Sequence, residues 1–208
     1  MIYGLYVITD ERLSRGLSHV ELARRAIAGG ADVIQLRDKE KSGKELTGYA
    51  LEISRIAKKA GVLFIVNDRL DIALISGAGG VHLGQDDIPA VLARKIAPPG
   101  FIIGVSTGTV EEAIKAEQDG ADYIGVGPVY TTSSKIDAGP VCGIGLLKEI
   151  KSRVSIPVVA IGGINKNNLT ETLDTGVDGV AVISAVVSQE DVEKATKELK
   201  ALIQNINA

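Results

Sequence analysis

Four blocks of the chain repeat one pattern: GGADVIQL (29–36), SGAGGVHL (76–83), DGADYIGV (119–126) and TGVDGVAV (175–182) each read glycine, a small or acidic pair, then a short apolar run. Recurrence of this kind means that the chain is assembled from similar supersecondary units. The intervals between blocks are too long for one strand-plus-helix unit of ~30 residues and suit two. A second strand is therefore expected inside each interval. LYVIT (5–9), VLFIV (62–66), FIIGV (101–105) and IPVVAI (156–161) fill those places, as short β-branched runs of the type buried on both faces of a parallel sheet.

Between the runs lie stretches with apolar residues at three- and four-residue spacing, among them residues 19–30, 43–61, 109–120 and 168–176, most of which end in glycine. These are predicted helices. Eight strands alternating with eight helices can build a doubly wound open sheet or a closed barrel. The even repeat, with no break at mid-chain, favours an α/β fold of one (β/α)8 TIM barrel occupying residues 1–208. No second domain is expected.

Composition narrows the function classes. With 45% hydrophobic and 24% charged residues, the chain has enough apolar material for a large core without disulfides. Its one cysteine, Cys142, excludes an internal disulfide or cysteine-rich zinc site, has no basic partner nearby in sequence, and reads as a packing residue in a cytoplasmic protein. The 23 basic and 26 acidic side chains, with five Tyr, two Phe and no Trp, do not make a nucleic-acid surface. No apolar run approaches the ~20 residues of a membrane span, so neither nucleic acid nor membrane is an expected partner. A homo-oligomer is compatible with the sequence, which specifies none.

In a (β/α)8 barrel the chemistry sits on the loops that follow the strands. Polar groups stand there after strand 2 (Gln35, Arg37, Asp38, Lys39), strand 3 (Asn67, Asp68, Arg69), strand 4 (His82, Gln85, Asp86, Asp87), strand 5 (Ser106, Thr107) and strand 6 (Thr131 to Lys135). After strands 7 and 8 come Gly162-Gly163 and Ser184-Ala185. The last two loops suit a phosphate cradle built from backbone N–H groups and a short helix starting at Ser184; equally, such residues make tight turns and helix caps.

Arg37, Lys39 and Lys135 as cations, and Asp68 and Asp87 as anions, suit a magnesium diphosphate. Against that, Asp68 could cap a helix beginning near Arg69, Arg37 could pair with Asp38 on the surface, and Lys135 could be a solvated loop residue. The loop YTTSSKIDAGP (130–140) suits a flap over an anionic substrate. His82, inside an apolar block, reads as a structural histidine and His19 as surface. No serine triad, HxxxH pair or P-loop is present. Two anion sites at one barrel mouth with few acid–base groups point to the joining of two phosphorylated small molecules, with diphosphate as leaving group.

The segments YVITDERL, QLRDK, VNDRLDIAL, GVHLGQDD, IIGVST, GADYIGVGPVYTTSSK, IPVVAIGGIN and GVDGVAVISAV, in this order along nearly the whole chain, resemble the thiamine-phosphate synthase family. The resemblance implies a (β/α)8 barrel, a Mg²⁺ cofactor, and a reaction that joins hydroxymethylpyrimidine diphosphate to hydroxyethylthiazole phosphate. It assigns Gln35, Leu36, Arg37, Asp38 and Lys39 to the pyrimidine diphosphate, with Arg37 and Lys39 on the diphosphate. Asn67, Ser106 and Lys135 are further contacts to that substrate, and Asp68 and Asp87 are metal ligands. Thr132, Ser133 and Ser134 face the thiazole phosphate, cradled by Gly163, Ile183 and Ser184. Arg37, Lys39 and Lys135 thereby become the catalytic cations, stabilising diphosphate as it departs ahead of capture of a pyrimidinylmethyl cation by the thiazole nitrogen.

The chain departs from the family pattern in the flap, where Thr131 to Lys135 lack the usual proline and one threonine is serine, and at Asp38, usually glutamate. A related thiazole tautomerase carries a histidine after strand 6, where this chain has Pro128. A non-catalytic barrel that binds thiazole phosphate and regulates a partner is the third reading.

Overall fold

The computed structural model describes residues 4–134 and 139–206. Strands and helices alternate: β1 (Gly4–Thr9), α1 (His19–Ala28), β2 (Val33–Leu36), α2 (Gly43–Ala60), β3 (Leu63–Asn67), α3 (Leu70–Ser76), β4 (Gly80–Leu83) and α4 (Ala90–Ile96) form the first half. The second half holds β5 (Ile102–Thr107), α5 (Val110–Gln118), β6 (Tyr123–Val126), α6 (Gly143–Arg153), β7 (Val158–Ile161), α7 (Leu169–Leu173), β8 (Gly179–Val182), the single-turn α8 (Ser184–Val187) and α9 (Val192–Ile206). All eight expected strands are present. The strands close into one all-parallel barrel in sequence order, because β1 pairs with β2 (Tyr6 with Val33) and with β8 (Gly4 with Gly179).

Local sequence sets the helix ends. Ser42 and Glu45 form a reciprocal capping box at the start of α2, and Gly61, in the left-handed region at φ 68°, ends it. Ser18 and Thr109 cap α1 and α5 by accepting backbone N–H bonds from Glu21 and Glu112. Leu46, Ala50, Ile53 and Ala57 form the buried stripe of α2, spaced so that one face of the helix lies against the barrel wall.

The repeated blocks owe their resemblance to one structural job. In three of them the acidic residue before the strand accepts the backbone N–H at the start of the preceding strand: Asp32 from Leu5 at 2.7 Å, Asp122 from Ile103 at 2.6 Å and Asp178 from Val158 at 2.8 Å. Each carboxylate also takes a cation from the helical layer, Lys200, Arg94 and Lys151 respectively. The block at 76–83 has Gly79 there, which has no side chain to make this bond and uses its backbone alone, donating to Phe64 O and accepting from Ile102 N. These stitches lie at the strands' amino ends, so the repeat closes the floor and leaves the opposite, carboxyl-terminal mouth for chemistry. Among the described residues, no helix is long and apolar enough to cross a membrane.

Candidate active site

A cleft of about 480 Å³ opens at the carboxyl-terminal mouth. Arg37 and Lys39 enter it from the loop after β2, Asn67 and Asp68 from the end of β3, Asp87 from the loop after β4 and Ser106 from β5. Thr132 and Ser134 follow β6, Gly163 follows β7, and Ile183 and Ser184 follow β8. Of the residues that the family resemblance assigns, eleven described ones therefore share one cavity wall. Gln35, Leu36 and Asp38 do not line it: Gln35 and Leu36 are buried in β2, and Asp38 is turned away. Ser133 is exposed beside the cleft. Lys135, with residues 136–138 of the expected flap, lies outside the described residues.

Asp68 is the acidic centre of one half. Its φ of 61° is the one positive value at a non-glycine position among the described residues, a conformation that Asp tolerates better than most side chains. It caps nothing: Arg69 occupies the cap of α3, with no side-chain cap bond. Instead the Asp68 carboxyl points to the mouth, 4.0 Å from Lys39 Nζ. Burial, reinforced by the hydrogen-bonded and charged Asp87 beside it, pushes its pKa up to about 6, against the pull of Lys39 and Arg37. Two carboxylates held together in this way form a site of excess negative potential, which a hard divalent cation would relieve. Asp87 is fixed in turn by the backbone N–H of Gly84, at 2.6 Å.

The loop carrying Arg37 and Lys39 is anchored from behind. Arg37 is 6% exposed, and Asp38 bonds inward rather than pairing with it on the surface. Asp38 Oδ1 accepts the N–H groups of Glu40 and Lys41 at 2.8 and 2.9 Å, while Oδ2 meets His19 Nε2 at 3.0 Å. Burial opposes ionisation of Asp38, but the bonds from His19 and the two backbone N–H groups hold its carboxyl below the usual range. His19 corrects the expectation of a surface residue: it is fully buried, with Thr9 Oγ1 2.7 Å from Nδ1. Glu11 completes the cluster, accepting the His19 backbone N–H and pairing with Lys41.

Across the cleft, Gly162 and Gly163 take φ of 99° and 68°. A Cβ on Gly162 would lie 2.5 Å from Pro128, and one on Gly163 2.6 Å from Thr131 O. Only glycine lets this backbone run so close to the preceding loop. Ser134 Oγ donates to Ser184 Oγ at 3.0 Å, tying the loop after β6 to that after β8. Ile183, not Ser184, occupies the cap of α8, so the serine hydroxyl is not spent on capping. Cys142 is half-buried, and burial pushes its thiol pKa up, in keeping with a packing role. Sequence reasoning passed over Tyr6 and Tyr123, which form a buried polar layer with Gln35 and His82 beneath the cleft. The available signal was glycine inside the β5 and β6 runs, at 104 and 125.

Comparison with known proteins agrees with this geometry. The family model described as thiamine monophosphate synthase matches residues 5–186. Thiamine-phosphate synthase of Methanocella arvoryzae is 67% identical over 203 residues, covering 98% of this chain and 96% of that one. The Methanoculleus marisnigri thiamine-phosphate synthase is 55% identical, with 96% of this chain and 95% of that one covered. Among solved structures, thiamine phosphate pyrophosphorylase from Pyrococcus furiosus superposes with a TM-score of 0.91 at 46% identity, covering 99% and 98% of the two chains. A closed eight-stranded barrel with a doubly charged cleft, together with full-length identity of this degree, shows that the chain belongs to the thiamine monophosphate synthase family.

Proposed function

We propose that this barrel is a Mg²⁺-dependent transferase that joins hydroxymethylpyrimidine diphosphate to hydroxyethylthiazole phosphate, forming thiamine phosphate and releasing diphosphate. The observation that carries the reading is the division of one cleft into two halves: Arg37, Lys39, Asp68 and Asp87 on one side, and the glycine loop at 162–163 with Ser134, Ile183 and Ser184 on the other. Each half accepts one phosphorylated substrate, and the space between is where the bond forms.

The bond that breaks joins the pyrimidine methylene carbon to a diphosphate oxygen; the bond that forms joins that carbon to the thiazole ring nitrogen. Diphosphate keeps the electron pair, so the chain's main task is to stabilise charge on the departing group. Arg37 and Lys39 take that role, a reading supported by the burial of Arg37 and by Lys39 standing 4.0 Å from Asp68 in the same half of the cleft. The family resemblance assigns Lys135 the same role. Asn67, Ser106 and the segment Gln35 to Lys39 orient the pyrimidine diphosphate, while Thr132, Ser133, Ser134, Gly163, Ile183 and Ser184 hold the thiazole phosphate. Asp68 and Asp87 would hold Mg²⁺, which supplies Lewis-acid stabilisation of the diphosphate oxygens when bound. The raised pKa of Asp68 beside Asp87 fits that donor set. The histidine that the related tautomerase carries after β6 is replaced here by Pro128, which lines the cleft.

Steady-state kinetics with each substrate varied in turn test the division. Arg37→Ala is expected to raise KM for the pyrimidine diphosphate by about 10- to 100-fold while leaving KM for the thiazole phosphate within about twofold. Equal rises in both would contradict two separate anion sites.

A further inference from the structure

The loop after β7 is shaped from outside the cleft by two asparagines. Asn165 Nδ2 donates to Gly163 O at 3.1 Å, and Asn168 Nδ2 donates to the same oxygen at 3.0 Å. The other ends of the two amides take backbone N–H groups: Asn165 Oδ1 accepts from Asn167 N at 2.9 Å, and Asn168 Oδ1 from Asn165 N at 2.8 Å. A carbonyl can only accept and a backbone N–H can only donate, so each of these four bonds has one sense and fixes which end of each amide is which. Gly163 and Ile164 line the cleft, whereas Asn165 and Asn168 do not.

Asn168 forgoes an ordinary task to hold this loop. It stands at the cap position of α7, where an asparagine usually accepts an N–H from the first turn of its own helix. Here its side chain makes no cap bond, and both ends of the amide reach back toward Gly163 and Asn165.

Peptide planarity turns these contacts into a direction. The peptides on either side of Gly163 are trans, and in a trans peptide the C=O and N–H point opposite ways. Gly162 O accepts from Tyr130 N on the β6 side at 3.0 Å, which sends the Gly163 N–H toward the β8 side, where Ile183 and Ser184 line the cleft. Gly163 O is drawn out to the two asparagines, which turns the Ile164 N–H inward. Two successive N–H groups are thereby offered to an anion, as in a backbone nest. The arrangement needs holding, because a glycine tolerates either orientation of the peptide that follows it. The flipped form would set a carbonyl oxygen against the phosphate.

We propose that Asn165 and Asn168 are positioning residues for the phosphate end of the thiazole substrate: by clamping the Gly163 carbonyl outside the loop, they keep the Ile164 N–H facing the cleft as a donor to the anion. The identity of the ligand rests on the transferase reading; the orientation of the peptide does not.

Titration of the full-length protein tests this without requiring turnover. On addition of hydroxyethylthiazole phosphate, the Ile164 backbone amide proton is expected to move downfield in nitrogen-15 correlation spectra as it takes up a bond to the anion. A shift at the Ser184 amide with Ile164 unmoved overturns the inference, because the peptide then does not face the phosphate. Calorimetry gives the second readout. Asn165→Ala combined with Asn168→Ala is expected to raise Kd for hydroxyethylthiazole phosphate about tenfold and to leave Kd for hydroxymethylpyrimidine diphosphate within about twofold. Equal losses for the two ligands also overturn it, because they assign the asparagines a general structural role. If the double variant does not fold, the Ile164 shift in the wild-type protein decides. Binding with both signatures but no product from the wild-type protein defeats the transferase reading and leaves the positioning role standing.

Discussion

His19 Nε2 lies 3.0 Å from Asp38 Oδ2, and through that contact a fully buried imidazole at the start of α1 holds the loop that carries Arg37 and Lys39 into the cleft. Thr9 Oγ1, at 2.7 Å from Nδ1, fixes the ring from the other side. The geometry of this charged loop thus depends on a residue that does not line the cleft.

Removing this anchor should affect stability and binding together. His19→Ala removes the buried imidazole that meets both Asp38 Oδ2 and Thr9 Oγ1 and is expected to cost about 3 kcal/mol in stability by chemical denaturation. In the fraction that folds, KM for the pyrimidine diphosphate should rise about tenfold with KM for the thiazole phosphate unchanged. An unchanged diphosphate KM would mean that the loop holds its shape without His19.

Asp68 predicts a pH dependence with a definite sign. Its folded pKa is about 6, above the ordinary aspartate value of 3.8, so the folded protein binds this proton more tightly than the unfolded chain. The group's favourable contribution is complete below pH ~4 and is lost as pH rises through ~6. Asp68→Asn, which keeps the size and tolerates the left-handed backbone, removes that loss. In metal-free protein it is expected to gain about 1 kcal/mol at pH 8, after discounting for partial exposure, and nothing at pH 4. The same variant should lose metal-stimulated activity. Equal stability changes at both pH values would contradict the crowded carboxylate pair.

The glycine loop after β7 gives a test of the other half. Gly163→Ala places a Cβ 2.6 Å from Thr131 O at a φ of 68°, and should raise KM for the thiazole phosphate about tenfold while costing about 1–3 kcal/mol of stability. A normal thiazole phosphate KM would remove this loop from the site.

Asp32 serves as the contrasting case. Asp32→Ala deletes the bonds to Leu5 N and Lys200 at the floor of the barrel and is expected to lower stability by about 2 kcal/mol with kcat and both KM values unchanged. A catalytic loss at 25 °C in folded protein would show that the floor and mouth are mechanically linked.

The sequence shows these two ends of the barrel with unequal clarity. The strands are legible because each is a short β-branched run, and the mouth is legible because its residues directly follow those runs: Arg37 after β2, Asp68 after β3, Gly163 after β7. The fourfold block was visible as a repeat, but its acidic residue reveals its job only when Asp122 is seen to reach Ile103 in the preceding strand. His19 was misread because its burial depends on Asp38, a partner contributed by the next loop. Tyr6 and Tyr123 escaped notice for a different reason. When both faces of a strand are buried, alternation no longer tells which side chains point into the barrel, and a tyrosine pointing inward reads like any other core aromatic.

The most direct test of the central claim is one reaction: purified protein with hydroxymethylpyrimidine diphosphate, hydroxyethylthiazole phosphate and Mg²⁺, following diphosphate and thiamine phosphate together. The account predicts the two products in equal amounts, abolished by EDTA and restored by added Mg²⁺. Tight binding of thiazole phosphate with no thiamine phosphate formed, or diphosphate released with no coupled product, would contradict it.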